Sequence, residues 1–351
     1  MEEYEFLINT ILIKLTNACN MYCKMCGQNK RNERNTYEYI ELESILEFLP
    51  DNIEDMNICL WGGEPLLYPN IRELLYELRK RKCYKGIITN GYYLDKYINE
   101  LIESKLTYLT VSIDGNEKTH NSIRKVSDAY SKAIGNIQKL VDEKKKRKLS
   151  VDDICININY TILGENIENM FEIANLAKEI GCKSITYNLP IIMNKSECEK
   201  FSCLLKNKYS SEFDSWRGYC EDELNIDCDL LEQEIKRIKY KFDKEHNFNV
   251  FWSTSGMSLD RNTLYKYFYQ IESDFTHKIC NISQNTVVIN SSGDLLLCPD
   301  FTETIVGNIN KISFDEYIKE IQKNERVKKF EGRMPVCARC CHRDWNIKER
   351  R

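Results

Sequence analysis

Residues 11–26 read ILIKLTNACNMYCKMC, an apolar run that passes directly into a loop with three cysteines. These are Cys19, Cys23 and Cys26. Three thiolates from one short loop suit an iron–sulfur cluster, because thiolate is the usual ligand of such clusters. One iron of a four-iron cluster would then lack a cysteine. A structural zinc site, which normally closes four protein ligands, and plain buried cysteines are the alternatives.

Three further motifs follow, each at the end of an apolar run. Residues 61–65 read WGGEP, residues 88–91 read ITNG and residues 112–115 read SIDG. Together with the cysteine loop, their order and spacing over residues 10–190 resemble the radical S-adenosylmethionine (SAM) superfamily, whose signature is CxxxCxxC.

The resemblance implies a chemistry and its cofactors. In that superfamily the open iron of a four-iron four-sulfur cluster chelates the amino and carboxylate groups of SAM. One electron then cleaves the sulfonium to methionine and a 5'-deoxyadenosyl radical, which abstracts a hydrogen atom from the substrate. The resemblance also implies a flavodoxin- or ferredoxin-like electron donor.

The same resemblance assigns SAM contacts to the WGGEP motif and to the cysteine loop. Gly62 and Gly63 carry no Cβ and let the backbone approach a ligand closely. Glu64 is expected to accept from the SAM ammonium, although an ordinary strand-terminal turn explains a lone GGEP equally well. Met25 stands where the superfamily often has an aromatic residue facing adenine, and its adaptable side chain can take that contact.

Further SAM contacts are expected after the fourth strand. The resemblance implies that Ser112 and Arg124 hold the SAM carboxylate, a task that suits the charged fork of an arginine. A surface arginine is the alternative. Asp114 and Asn90 either contact SAM or hold loop backbones, a common use of Asp and Asn side chains in turns.

Apolar runs alternate with helical-period segments along the chain. Such repeated units predict a parallel sheet with chemistry in the loops after the strands, here an α/β partial (β/α)6 TIM-like barrel with a small C-terminal cysteine-rich β-hairpin domain. The strands are expected at 11–15, 56–61, 86–89, 108–113, 154–162 and 184–188, and the helices at 37–49, 71–82, 94–104, 130–148 and 167–180. The domains are expected at 1–190 (barrel), 191–276 (a bridge or substrate lid, with a helix at 230–245 and a strand at 248–253) and 277–351 (auxiliary cluster).

A second group of cysteines lies near the end of the sequence. Its members are Cys280, Cys298, Cys337, Cys340 and Cys341, with a predicted β-hairpin between the first two. The pattern resembles the SPASM extension of radical SAM enzymes in its shorter Twitch form, which implies one auxiliary four-iron four-sulfur cluster. Either Cys340 or Cys341 would complete four ligands, and a four-cysteine zinc site is the alternative.

Composition limits partners and compartment. A formal charge of -4 provides no basic field for nucleic acid or an anionic membrane, and no apolar run approaches membrane-spanning length. The acidic balance argues against an RNA-modifying enzyme. Sixteen cysteines without an export signal favour metal or redox chemistry in a reducing, cytoplasmic compartment over a disulfide framework.

Among the functional properties of the protein, the substrate is the one that the sequence determines least. Enzymes of this architecture modify ribosomally made peptides, or oxidise sugars and cyclitols, and a non-catalytic metal-binding protein is a further alternative. Cys220 is a candidate hydrogen-atom donor to a substrate radical, as in related peptide epimerases, although a buried or idle thiol is the simpler explanation.

Overall fold

The computed structural model describes residues 8–30, 37–199, 202–203, 215–221, 225–253, 257–269 and 282–323. One ten-stranded sheet runs through this part of the chain in the order β10-β9-β8-β1-β2-β3-β4-β5-β6-β7. Its strands are β1 Thr10–Lys14, β2 Asn57–Trp61, β3 Tyr84–Thr89, β4 Tyr108–Ser112, β5 Cys155–Thr161, β6 Ser184–Asn188, β7 Asn249–Ser253, β8 Thr286–Ile289, β9 Asp294–Leu296 and β10 Ile305–Asn308.

Helices connect most of these strands. The α-helices are α1 Gly27–Lys30, α2 Leu42–Phe48, α3 Ile71–Arg79, α4 Ile98–Glu103, α5 Glu117–Arg124, α6 Ala129–Lys146, α7 Met170–Glu179, α8 Cys228–Phe242, α9 Arg261–Tyr269, α10 Ile282–Asn285 and α11 Phe314–Lys323. Short 3-10 turns lie at Pro65–Leu67, Leu94–Lys96, Gly164–Asn169 and Ser215–Tyr219.

The strands β1 to β7 pair in sequence order and all run parallel. The predicted α/β fold with a parallel sheet is therefore confirmed. The sheet extends beyond six strands, because β7 pairs with β6 and β8 pairs parallel with β1. The segment 191–276, expected to be a bridge or substrate lid, thus contributes the helix α8 and adds the strand β7 to the parallel sheet. The division into domains itself stays a prediction.

The two faces of the sheet differ in polarity, as the two-residue period of a strand requires. Along β5, Ile156, Ile158 and Tyr160 are at most 1% exposed and belong to the core beneath the helices. Burying such a side chain stabilises the fold by about 1.5–3 kcal/mol. The alternate residues Asn157 and Asn159 are only partly buried and face the inside of the barrel. This core fixes the strand ends, and with them the loops that carry the predicted motifs.

Candidate functional site

The cysteine loop after β1 lies directly against the loop after β2. Gly63 N–H donates to Thr16 O at 2.8 Å, and Glu64 N–H donates to Ala18 O at 2.7 Å. A Cβ on Gly63 would lie 2.1 Å from Ala18 O, and one on Gly62, whose φ is +148°, would lie 2.5 Å from Thr16 O. Glycine is needed at both positions because the two backbones touch. The close approach expected toward a ligand is thus first an approach to the cysteine loop.

The side chain of Glu64 is completely buried beneath these loops. Its carboxylate accepts hydrogen bonds from Thr89 Oγ1 at 2.6 Å, from Asn90 N–H at 2.7 Å and from Leu66 N–H at 3.1 Å. Burial raises the pKa of Glu64, and the three bonds oppose that rise. The contact with the SAM ammonium stays a prediction; in the structure Glu64 is not among the cavity-lining residues, and its carboxylate ties the loops after β2 and β3 together.

Asn90 joins the loop after β3 to the cysteine loop. Its Nδ2 donates to Asn20 Oδ1 at 2.8 Å and lies 4.0 Å from Cys19 Sγ. Its Oδ1 accepts from Tyr92 N–H at 3.0 Å, which is the turn role considered from the sequence. Asn90 also lines the cavity, so its side chain serves the loop backbone and faces the ligand space at once.

Arg124 reaches the cysteine loop from the end of α5. The helix begins where Asn116 accepts from Thr119 N–H at 3.1 Å, and it ends at Lys125, whose φ of 60° is left-handed. Arg124 is therefore the last helical residue, and its Nη1 lies 3.6 Å from Cys23 Sγ. Burial alone would lower the pKa of Arg124, but Asp114 and Cys23 raise it above its usual value. The guanidinium is a permanent cation beside the cysteines.

Asp114 is completely buried behind Arg124. Its carboxylate accepts from Arg124 Nε at 2.6 Å and from Thr161 N–H at 2.9 Å. Its backbone N–H donates to His120 Nδ1 at 3.0 Å. Burial and, secondarily, Arg124 lower the pKa of His120 to about 2, which leaves a neutral acceptor. A direct SAM contact of Asp114 stays a prediction; in the structure Asp114 is not among the cavity-lining residues, and its carboxylate orients Arg124.

These loops surround a cavity of about 200 Å³ at the carboxyl ends of the parallel strands. The lining includes, among the predicted residues, Cys19, Cys23, Met25, Cys26, Gly62, Gly63, Asn90, Ser112 and Arg124. The lining residues that sequence reasoning missed are Met21, Gln28, Trp61, Ile88, Thr89 and Thr161. Two of these carried a usable signal. Trp61 directly precedes the diglycine, and Thr161 continues the polar alternation of the fifth strand.

The donor set at the cavity fits a four-iron cluster with one open iron. The three cysteines come from one loop, and each of their side chains lines the same space. A structural zinc site normally has four protein ligands, and Cys19, Cys23 and Cys26 are the only cysteines among the lining residues that the structure describes. In an iron–sulfur cluster each thiolate binds a different iron, so the three sulfurs need not converge on one metal ion.

Of the five C-terminal cysteines predicted to bind a cluster, the structure describes only Cys298. Cys298 lies two residues after β9 and is 7% exposed. Cys280, Cys337, Cys340 and Cys341 lie outside the described residues. Antiparallel pairing of β8 with β9 confirms the predicted hairpin. The ligand set of an auxiliary cluster stays a prediction.

Cys220, the candidate hydrogen-atom donor, is oxidised in the structure. The structure pairs its sulfur with that of Cys198 in a disulfide, so in this state Cys220 has no S–H group to donate. Its side chain is also absent from the cavity lining. The backbone nevertheless lies near the cysteine loop, because Lys30 Nζ donates to Cys220 O at 3.0 Å and to Glu221 Oε2 at 2.6 Å. The hydrogen-donor role of Cys220 therefore stays a prediction, and it would require this disulfide to be reduced.

A three-cysteine loop at the carboxyl edge of a parallel barrel sheet defines an iron–sulfur enzyme of the barrel class. Two family models specify it further: the radical SAM superfamily matches residues 13–177, and SPASM, an iron–sulfur cluster-binding domain, matches residues 280–341. The chain belongs to the radical SAM superfamily. Its cofactors are accordingly SAM and a four-iron four-sulfur cluster, and the SPASM region adds auxiliary iron–sulfur binding.

Several curated relatives are similar in sequence. The chain is 22% identical to the GTP 3',8-cyclase of Helicobacter pylori over 342 residues, 95% of this chain and 94% of that protein. It is 26% identical to the probable GTP 3',8-cyclase of Methanocaldococcus jannaschii over 179 residues, which span 50% of this chain and 56% of that one. It is also 26% identical to the PqqA peptide cyclase of Gluconobacter oxydans over 176 residues, 49% of this chain and 46% of that protein.

Among solved structures, Streptococcus suis SuiB is similar in fold. The TM-score is 0.64 at 17% sequence identity, and the match covers 95% of this chain and 72% of SuiB. SuiB has also been solved with SAM and with its precursor peptide SuiA. Across the ranges that the present structure describes, every helix is too short or too polar to cross a lipid bilayer.

Proposed function

We propose that this radical SAM enzyme is an oxidoreductase that matures a ribosomally made peptide. The observation that carries the proposal is the single cavity into which the cysteine loop, the diglycine turn, Ser112 and Arg124 all project. When bound, the cluster and SAM supply reductive cleavage of the sulfonium and a 5'-deoxyadenosyl radical that takes hydrogen from an unactivated carbon.

The residues of the chain have separate tasks in this proposal. Cys19, Cys23 and Cys26 hold three irons and leave the fourth free. Arg124 offers a permanent positive charge to the SAM carboxylate, with Ser112 as a neutral donor beside it. Cations and hydroxyls of this kind orient a carboxylate through charge-assisted hydrogen bonds, and holding the reactants in the productive geometry lowers the barrier.

A peptide substrate is supported by relatives and by the polarity of the barrel interior. The PqqA cyclase is named for a peptide, and SuiB has been solved with its precursor peptide. GTP is the substrate named for the cyclases, and a triphosphate calls for several cations. Lys14 is the only charged side chain among the inward-facing residues of strands β1 to β8, and Asp294 of β9 shares that face.

Anaerobic reconstitution with iron and sulfide, followed by SAM and dithionite, tests the core of the proposal. The reconstituted protein should form 5'-deoxyadenosine, and the variant Cys23→Ala should form none. Cys203→Ala is the matched control, because Cys203 is exposed and lies outside the cavity lining. Absence of 5'-deoxyadenosine from iron-loaded wild-type protein would refute the radical chemistry.

The genes that neighbour this one supply the test substrate: a short open reading frame among them would give the candidate peptide. Loss of two hydrogen atoms from that peptide, measured by mass spectrometry together with 5'-deoxyadenosine, is the result expected of an oxidative maturation. An unchanged peptide, together with oxidation of the sugar or cyclitol that neighbouring sugar-processing genes indicate, would replace the peptide in the proposal.

A further inference from the structure

Among the residues that the structure describes, one disulfide is formed, between Cys198 and Cys220. The bond joins the chain that follows β6 to the residue directly after the 3-10 turn Ser215–Tyr219, and the two cysteines are 22 residues apart in sequence. Neither cysteine lines the cofactor cavity. The pair is therefore separate from the three cysteines that are expected to bind the first cluster.

Residues 215–221, which we call the latch segment, contact the helix that follows the cysteine loop. Lys30 Nζ donates to Cys220 O at 3.0 Å and to Glu221 Oε2 at 2.6 Å. Lys30 is the last residue of α1, which begins directly after Cys26, and its backbone N–H donates to Cys26 O at 3.1 Å. Lys30 thus holds the latch segment with its side chain and the cysteine loop with its backbone.

The latch segment also contacts two other parts of the chain. Met193 N–H donates to Tyr219 O at 2.8 Å, and Glu221 N–H donates to Met193 O at 2.9 Å. On another side, Tyr219 OH donates to Asp300 Oδ1 at 2.6 Å, and Asp300 lies shortly after Cys298 in the loop that follows β9. The latch segment therefore joins both cysteine-bearing regions to the chain after β6.

The disulfide is the contact whose loss would free the latch segment most. The ion pair of Lys30 with Glu221 is partly in water, because the two side chains are 23% and 42% exposed. Ion pairs in contact with water contribute little to stability. A covalent cross-link instead removes freedom from the whole enclosed loop, and this effect grows with the length of the loop. Breaking the S–S bond therefore weakens the hold on α1.

The position of the bond suits exchange with an external thiol. The sequence favours a reducing compartment, where protein disulfides are usually transient, catalytic or redox-sensing. Cys198 is 4% exposed, whereas Cys220 is only partly buried, so the bond is not sealed from solvent. Exchange with a dithiol breaks the S–S bond, leaves two protein thiols and converts the dithiol to its own disulfide. Two electrons and two protons pass from the dithiol to the protein.

We propose that Cys198 and Cys220 form a redox modification site that reacts with dithiols and small disulfides, and that its state controls how firmly the latch segment holds α1. In the disulfide state the segment fixes Lys30 and the end of the cysteine loop. In the dithiol state the segment is released and α1 opens more often. The cysteine loop is thus held most firmly under oxidising conditions, which degrade iron–sulfur clusters. The inference goes beyond the proposed function and does not depend on its substrate.

Hydrogen-exchange mass spectrometry tests the inference on the reconstituted protein with SAM, after anaerobic incubation with either glutathione disulfide or dithiothreitol. After glutathione disulfide, the wild type should yield a cross-linked peptide that contains Cys198 and Cys220. Amide exchange in α1 should then be about tenfold slower than after dithiothreitol, because a cross-link suppresses local opening. Cys220→Ser should exchange fast under both conditions. Cys203→Ser is the matched control and should respond as the wild type does, because Cys203 is exposed and outside the disulfide.

Three results would overturn the proposal: no cross-linked peptide after glutathione disulfide, equal exchange of α1 in the two wild-type samples, or a redox response that persists in Cys220→Ser. Cys198→Ser breaks the same bond and replaces Cys220→Ser if that variant does not fold. Release of iron to the chelator ferrozine should also be slower from the oxidised than from the reduced wild type, and equal release would refute the hold on the cysteine loop. None of these measurements requires SAM cleavage, so their failure is distinguished from failure of the radical chemistry.

Discussion

Arg124 donates from Nε to the Asp114 carboxylate at 2.6 Å, and the pair is enclosed by protein on every side but the cavity. Asp114 is fully buried and Arg124 is 9% exposed. Two charges withdrawn from water in this way are tolerable only together, because each neutralises the other's desolvation cost. The stability of the fold and the placement of a cation beside Cys23 therefore depend on the same contact.

Replacing one member of this pair should cost more than replacing both. Asp114→Ala leaves Arg124 buried without its anion, and we expect a loss of about 3–5 kcal/mol in the free energy of unfolding. The double variant Asp114→Leu with Arg124→Met should recover most of that loss while still failing to bind SAM. Urea unfolding and SAM titration measure the two effects separately. A double variant less stable than Asp114→Ala would contradict this account.

Gly63 and Gly135 provide a matched pair of glycine substitutions. A Cβ at Gly63 would lie 2.1 Å from the backbone oxygen of Ala18, so Gly63→Ala must displace the cysteine loop, at a cost of about 1–3 kcal/mol. We expect its iron content at the first cluster to fall sharply. Gly135 lies within α6 with nothing within 4 Å of an added Cβ, so Gly135→Ala should stabilise the protein by about 0.5–1 kcal/mol. Normal iron loading of Gly63→Ala would show that the loops do not depend on this contact.

Much of the barrel was predictable because its strands and motifs are local in sequence. The two-residue polarity period of residues 154–162 and the apolar run before Cys19 indicate strands without any tertiary information. The extension of the sheet to β7 and β8 was not predictable in the same way. Parallel pairing joins segments that are far apart in the chain, and nothing in either strand specifies its partner.

The candidate site was predictable at the level of residue choice, but less so at the level of roles. The motifs identified the residues around the cavity, yet Glu64 and Asp114 proved to be buried supports for the loop and for Arg124. The sequence of a motif is the same whether its carboxylate contacts a ligand or accepts from a backbone N–H group. Only packing decides between them. The pairing of Cys220 with Cys198 likewise requires knowledge of the fold.

The stability of the fold should depend on the charge of Glu64, even when the shape of its side chain is kept. A glutamine can still accept one hydrogen bond, but its NH2 group would face either Leu66 N–H and Thr89 or Asn90 N–H, donors that Glu64 now satisfies. We expect Glu64→Gln to cost about 1–3 kcal/mol in urea unfolding, the usual cost of an unsatisfied buried group. Glu54→Gln is the control, because its contact with Lys82 is exposed and should change stability by less than about 0.5 kcal/mol. Equal stability of the two variants would exclude the supporting role of Glu64.

His120 should make the fold sensitive to mild acid. Its pKa is about 2 in the folded protein because burial disfavours the charged ring. In the unfolded chain the pKa of a histidine is about 6.5. Below that value the unfolded chain binds a proton that the folded chain refuses. The stability contributed by neutral His120 is therefore complete above pH 6.5 and is lost as the pH falls toward 2, by about 1.4 kcal/mol between pH 7.5 and 5.5.

His120→Asn isolates this effect, because Asn Oδ1 can replace Nδ1 as acceptor for Asp114 N–H and does not titrate. Other groups also contribute to the pH dependence of stability, so the informative quantity is the difference between wild type and variant at each pH. That difference should shift in favour of the variant by about 1.4 kcal/mol between pH 7.5 and 5.5 in urea titrations. Parallel curves would mean that the folded protein admits the proton. Burial would then not keep the ring neutral, and Arg124 would have to tolerate a second cation within its buried surroundings.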